Sequence, residues 1–227
     1  LDKELLNILE TYQVEEDKTK EWSPLPSLFD PKLVTNTEAK MLDGLGLGGR
    51  VLAQAARIIS NHEQKHQFPE VKEKFPNIDD NHSNALQHAL FSALLTLWLG
   101  EKWTKQFVTA HEAKRGNIAH REAMDLYNYY QGIRIGKEFS RDEFYIWSGE
   151  VANKIKQEIE NGKLLVINKN GQIAWSNQVS IENTGKAKGK PKQGNWPVPS
   201  GNADAFWQSK WHDQPKISPR HVAELKR

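Results

Sequence analysis

The stretch from Asn84 to Gly132 constrains this chain more than any other. It reads NALQHALFSALLTLWLGEKWTKQFVTAHEAKRGNIAHREAMDLYNYYQG and holds the longest apolar run together with three of the eight histidines. Apolar residues recur there at helical spacing, which predicts successive amphipathic helices. Polar side chains nonetheless fall inside that pattern: His88, the adjacent His111 and Glu112, Asp125 and Asn128. Polar groups taken out of water cost free energy unless partnered. These residues must therefore meet one another, a metal or a substrate.

Helices are expected over residues 82–98, 101–114, 119–132 and 141–161, with Gly100 and Gly116-Asn117 as the breaks. Asp79-Asp80-Asn81 should cap the first of them. Upstream, residues 2–20 read as an amphipathic helix, and Pro24, Pro26 and Pro31 then enforce a linker. A further helix starts at the Asn36-Thr37 cap, and another covers residues 51–64. The glycine-rich run at 43–50 between them fits neither the Walker nor the dinucleotide spacing, so it reads as a flexible turn or a close helix approach. Downstream, KLLVINKNGQIAWSN reads as a β-hairpin about Asn170-Gly171. The segment TGKAKGKPKQG reads as a flexible connector, followed by an end rich in Trp and Pro. The expected fold is mainly α: a helical bundle with one small β-hairpin and an irregular basic C-terminal extension. The chain divides into an N-terminal helix and linker (residues 1–35), a helical core with the hairpin (36–177) and the extension (178–227).

Composition narrows the chemistry. No cysteine is present, which removes disulfides, thiolate metal sites and Cys nucleophiles. No apolar run approaches the ~18 residues of a membrane span. The net charge of +2 hides an asymmetry: from Asn183 onward nine Lys or Arg face three Asp or Glu, and the rest of the chain carries 22 against 26. A basic, tryptophan-bearing end could lie on an acidic body or seek nucleic acid. The chain opens on Leu1 with no leader pattern, which reads as a piece of a longer polypeptide.

Residues four apart share a helix face, which aligns Asn84, His88 and Ser92, and separately Arg121 and Asp125. His111 and Glu112 point about 100° apart. If three helices pack as a bundle, His88, Glu112 and Asp125 meet in its core, the way bundles build metal sites. Imidazole with carboxylate suits zinc, iron or manganese, and zinc or manganese is the expected ion. Such an ion activates water for hydrolysis. The candidate catalytic set is His88, His111, Glu112, Asp125 and Asn128, with His120 behind them. His62 and His66 lie on a charged stretch and should be solvated, and His212-Asp213 is a lesser candidate pair. No HExxH is present, because Ala-Lys-Arg follows His111-Glu112. The bland alternative is a buried hydrogen-bond network in a non-catalytic interaction module.

Three stretches carry a resemblance: Asn84-Ala85-Leu86-Gln87-His88-Ala89, Ala110-His111-Glu112, and Met124-Asp125-Leu126-Tyr127-Asn128-Tyr129 ending at Gly132. In order and interval they resemble a helical bacterial domain of unknown function with Asp-Ala-x-Arg-His-Ala, Ala-His-Glu and Met-Asp-Leu-x-Asn-Asn motifs. Asn84, Gln87 and Tyr129 depart from that pattern. The resemblance implies a domain at the C-terminal end of a secreted protein or polymorphic toxin, such as an Rhs-type effector. It further implies a larger carrier polypeptide, delivery into a target cell and a cognate immunity protein. The expected function is a secreted antibacterial toxin domain acting as a hydrolase. The alternative is a nucleic-acid-targeting toxin that uses the basic tail.

Overall fold

A computed structural model describes residues 1–23, 31–74, 79–139 and 148–189. The fold is mainly helical. Eight helices are described: α1 (Lys3–Thr11), α2 (Asn36–Gly44), α3 (Gly46–Gln67), α4 (Pro69–Lys74), α5 (His82–Leu99), α6 (Glu101–Glu112), α7 (Ala119–Gly136) and α8 (Ser148–Glu160). Two small antiparallel sheets accompany them, β1 (Thr19–Trp22) with β2 (Lys32–Thr35) and β3 (Leu165–Ile167) with β4 (Ile173–Trp175). No described helix is long and apolar enough to cross a membrane.

α5 is the central rod. It is buried on nearly every side, as expected for a helix apolar all round. α3, α6, α7 and α8 all pack against it. Asn81 caps it by accepting the Asn84 backbone N–H at 3.1 Å. Asp80, expected as a cap, instead takes a bidentate Arg121 at 2.9 Å on each oxygen.

α5 and α7 touch backbone to backbone. A Cβ on Gly132 would sit 2.0 Å from the Ala89 carbonyl oxygen, and one on Gly136 would sit 2.6 Å from that of Ala93. Glycine at these positions lets Ser92 donate across the gap to the Tyr129 carbonyl at 2.7 Å. The contact fixes how His88 on α5 faces Asp125 on α7.

Several expectations need correction. The N-terminal helix stops at Thr11 rather than near Lys20. Residues 13–17 then form a strap across the α6–α7 loop: Asp17 N–H donates to Ala113 O at 2.7 Å, Gln13 Nε2 to Ala119 O at 2.7 Å, and Gly116 N–H to Glu16 Oε1 at 3.0 Å. The hairpin at Asn170-Gly171 is present, but β1–β2 is a second two-stranded sheet that the proline-rich connection conceals. The glycine run is no flexible turn, since α3 begins at Gly46 within it. A short helix, α4, joins α3 to the approach to α5. The start of the basic extension is docked: Gly185 N–H donates to Ile167 O at 2.8 Å and Ala187 N–H to Asp80 Oδ2 at 2.8 Å. The Pro24–Pro26 linker, the first turns expected for the helix at 141–161, His212-Asp213 and the tryptophan-bearing tail with its nucleic-acid expectation lie outside the described residues.

Candidate metal centre and cleft

Three helices deliver one side chain each to a common point: His88 from the middle of α5, Glu112 from the last residue of α6 and Asp125 from the second turn of α7. One ligand atom from each lies within 4.8 Å of the other two. Glu112 and Asp125 are buried, at 5% and 6% exposure. This cluster of a histidine and two carboxylates could hold a metal ion.

The contact between His88 and Asp125 has an informative geometry. His88 Nδ1 and Asp125 Oδ1 are 3.2 Å apart. Both are buried and neither has a hydrogen-bond partner, so their mutual approach is misaligned for a proton. Two ligands of a tetrahedral ion with bonds of about 2.0–2.1 Å stand about 3.3 Å apart. The spacing therefore fits two atoms aimed at a shared third point.

Protonation agrees with this picture. Burial, then the nearby His111, Lys114 and Arg121, push the His88 imidazole down to about 3. Burial, then Glu112 and Asp80, hold the Asp125 carboxyl well above its ordinary range. Burial likewise raises Glu112, against the opposing pull of His111 and Lys114. Burial disfavours the charged form of both groups, so the 3.2 Å approach gains little as an ion pair. Two buried carboxylates beside a neutral imidazole are the charge arrangement that a divalent cation relieves.

Neighbours orient the three groups. The Asn84 carboxamide faces His88 Nε2 at 3.2 Å. Asn117 Nδ2 donates to Glu112 Oε2 at 2.9 Å. Asn117 sits in the loop that the N-terminal strap pins. Tyr129 stacks on the His88 ring with centroids 4.6 Å apart, so this departure from the motif pattern packs directly on the site.

His111 diverges from Glu112, as their adjacency on α6 requires. Its Nδ1 meets Glu38 Oε1 at 2.6 Å, a short, charge-assisted bond. Burial alone would raise the Glu38 carboxyl, but His111, Lys114 and the Thr35 backbone outweigh it and hold it below the ordinary value. The other Glu38 oxygen accepts the Thr35 N–H at 2.7 Å, and Thr35 Oγ1 accepts the Glu38 N–H, completing a capping box. The sequence reading missed Glu38. Thr35-x-x-Glu38 is a recognisable helix start, but nothing local says that its carboxylate reaches a histidine on α6.

The remaining candidates do other work. Asn128 is fully buried, and its carboxamide both donates to Leu165 O and accepts Leu165 N–H, each at 2.9 Å. That pairing is a bracket holding β3 to α7, so Asn128 leaves the catalytic set. His120 Nδ1 takes the Ile173 N–H at 3.4 Å and supports the hairpin. His62 and His66 have side chains 74% and 72% exposed, which fits solvated residues.

A cleft of about 580 Å³ reaches the cluster at His88, with His111, Glu38 and Tyr129 also in its lining, while Glu112 and Asp125 lie outside that lining. Lys32, Arg50, Arg57 and Lys114 line it too, leaving Glu38 as its single carboxylate. Trp22, Phe91 and Phe107 supply further aromatic wall.

The fold and site thus define a mainly helical protein with a buried His-Glu-Asp cluster that meets a basic cleft at His88. Residues 51–163 match the model of a family described as a domain of unknown function, DUF6973. That match contains His88, Glu112 and Asp125, while Glu38 and the strap precede it. No curated protein and no solved structure matches the chain.

Proposed function

We propose that this chain is a metal-dependent hydrolase, with His88, Glu112 and Asp125 holding zinc or manganese. The observation that carries the reading is the convergence of one imidazole and two buried carboxylates within 4.8 Å, with Nδ1 and Oδ1 left unpartnered. Three protein ligands leave room for water, and a metal so held supplies a Lewis acid and a lowered water pKa. If the Asn84 carbonyl is turned toward His88, it accepts the Nε2 proton and leaves the Nδ1 lone pair for the metal, the usual outer support of a ligating histidine. His111, oriented by Glu38 and facing the cleft, carries protons to and from the reacting group. Tyr129 keeps the His88 ring in place.

The biological setting proposed is a secreted antibacterial toxin domain, released from a carrier, delivered into a target cell and neutralised by an immunity protein. Its support is the motif resemblance alone.

The test is elemental analysis of the purified chain beside His88→Ala and Asp125→Ala. One zinc or manganese per chain is expected, lost in both variants, together with loss of growth inhibition when the chain is produced inside bacteria. Metal-free protein that cannot be loaded with either ion, or folded variants that keep full toxicity, would sink the reading.

A further inference from the structure

We infer that the cleft that reaches the cluster at His88 binds an organic phosphate of nucleotide size, with the phosphate on the cationic wall and a flat group against the aromatic wall. The inference names a substrate class for the hydrolase reading and rests on it for the reaction, though not for the binding.

Charge points to the anion. Four cations line the cleft against one carboxylate, and that carboxylate is already engaged by His111. Arg57 and Lys114 have no ion-pair partner among the described residues. Arg50 is held by the end of α2, donating to Leu42 O and Asp43 O at 3.1 Å each and pairing with the Asp43 carboxylate at 3.4 Å, so the charge for an anion rests on Arg57 and Lys114. A cation cluster inside a concave, low-dielectric wall focuses field on an anion. A simple carboxylate brings one charge and two oxygens. A phosphate ester brings up to two charges and several acceptor oxygens, which suits several convergent donors better.

Volume and wall chemistry point to the rest of the ligand. About 580 Å³ is far more than inorganic phosphate fills and lies within the range of small-molecule sites. Trp22, Phe91, Phe107 and Tyr129 offer ring surface to a flat group. Gln54 and Gln87 add amides to the same lining, which suits the edge of a nucleobase. An acyl chain has no use for such amides, so a nucleotide is favoured over a phospholipid.

The experiment is titration calorimetry on the full chain, metal-free and then loaded with zinc or manganese. Adenosine and uridine 5′-monophosphates are compared with their nucleosides, inorganic phosphate and a lysophospholipid below its micelle concentration. Each monophosphate should bind at least about tenfold tighter than its nucleoside, the worth of one charge-assisted contact. Arg57→Gln and Lys114→Gln should each weaken it about tenfold, while Arg115→Gln, an equal charge change on an exposed residue outside the cleft, should not. Arg57→Lys, which keeps the charge but not the fork, should retain part of the affinity, and unchanged melting certifies each variant. Equal binding of nucleotide and nucleoside, no binding at all, or tighter binding of the lysophospholipid overturns the inference. Charge-dependent nucleotide binding by a chain that takes up no metal leaves the inference standing and removes the hydrolase. Metal without nucleotide binding does the reverse.

Discussion

Gly132→Ala tests the helix contact on which the cluster depends. The added Cβ would lie 2.0 Å from the Ala89 carbonyl oxygen and 2.2 Å from Ser92 Oγ, against a floor of 3.0 Å for real Cβ contacts. The obstructing oxygen is backbone, so no rotamer change relieves it. α7 must retreat from α5 by at least 1.0 Å, the difference between 3.0 and 2.0. Overpacking of this severity costs about 3 kcal/mol. Losing the Ser92 bond to Tyr129 costs about 1 kcal/mol. Alanine returns about 1 kcal/mol of helix propensity. The net of about 3 kcal/mol lowers Tm by about 6–12 °C in a domain of this size. The same retreat separates His88 from Asp125 by far more than the ~0.2 Å that a metal site tolerates. Scanning calorimetry with and without zinc or manganese reads both effects: a lower Tm for the metal-free variant and a smaller rise when metal is added. Gly149→Ala, where a Cβ meets nothing within 4 Å, is the control and should melt no lower than the parent. If Gly132→Ala melts within about 1 °C of the parent and binds metal equally well, the helices do not meet as described and the argument for the cluster fails.

Asn128→Ala should cost about 2–5 kcal/mol in urea unfolding by orphaning both backbone groups of Leu165. It should leave metal content unchanged, and loss of metal in a folded variant would return Asn128 to the site. Glu38→Gln should lower kcat about 100-fold on a nitrophenyl phosphate ester and shift the pH profile while metal content holds. An unchanged profile would remove the His111–Glu38 pair from the reaction. Stability should also fall below about pH 6.5, the unfolded value for histidine. Burial of His82 outweighs its Ser176 and Val179 carbonyl partners and lowers its pKa. Its Nε2 donates to Ser176 O at 2.8 Å and its buried Nδ1 has no partner. Between the folded value and 6.5 the unfolded chain therefore binds the extra proton, so stability is full above that window and declines as pH falls through it. Chemical denaturation at several pH values should show a shallower slope for His82→Gln, and identical slopes would contradict the assignment.

The sequence determined the helical class and the identity of the cluster. Periodicity is a local property, so α5, α6 and α7 were legible, and Gly100 and Gly116 marked the breaks between them, but α7 runs through Gly132, its expected end, to Gly136. Asn170-Gly171 marked the hairpin for the same reason. His88, Glu112 and Asp125 stood out because polar groups on buried faces need partners. Tertiary structure decided everything that joins distant segments. It sent Asn128 to the β3 backbone and gave Asp80 to Arg121. It brought Glu38 on α2 to His111, 73 residues away. It also paired β1 with β2 across the proline-rich connection and assembled four cations from three separate stretches into one cleft. No local pattern encodes these meetings, because each depends on how helices pack rather than on how any one of them forms.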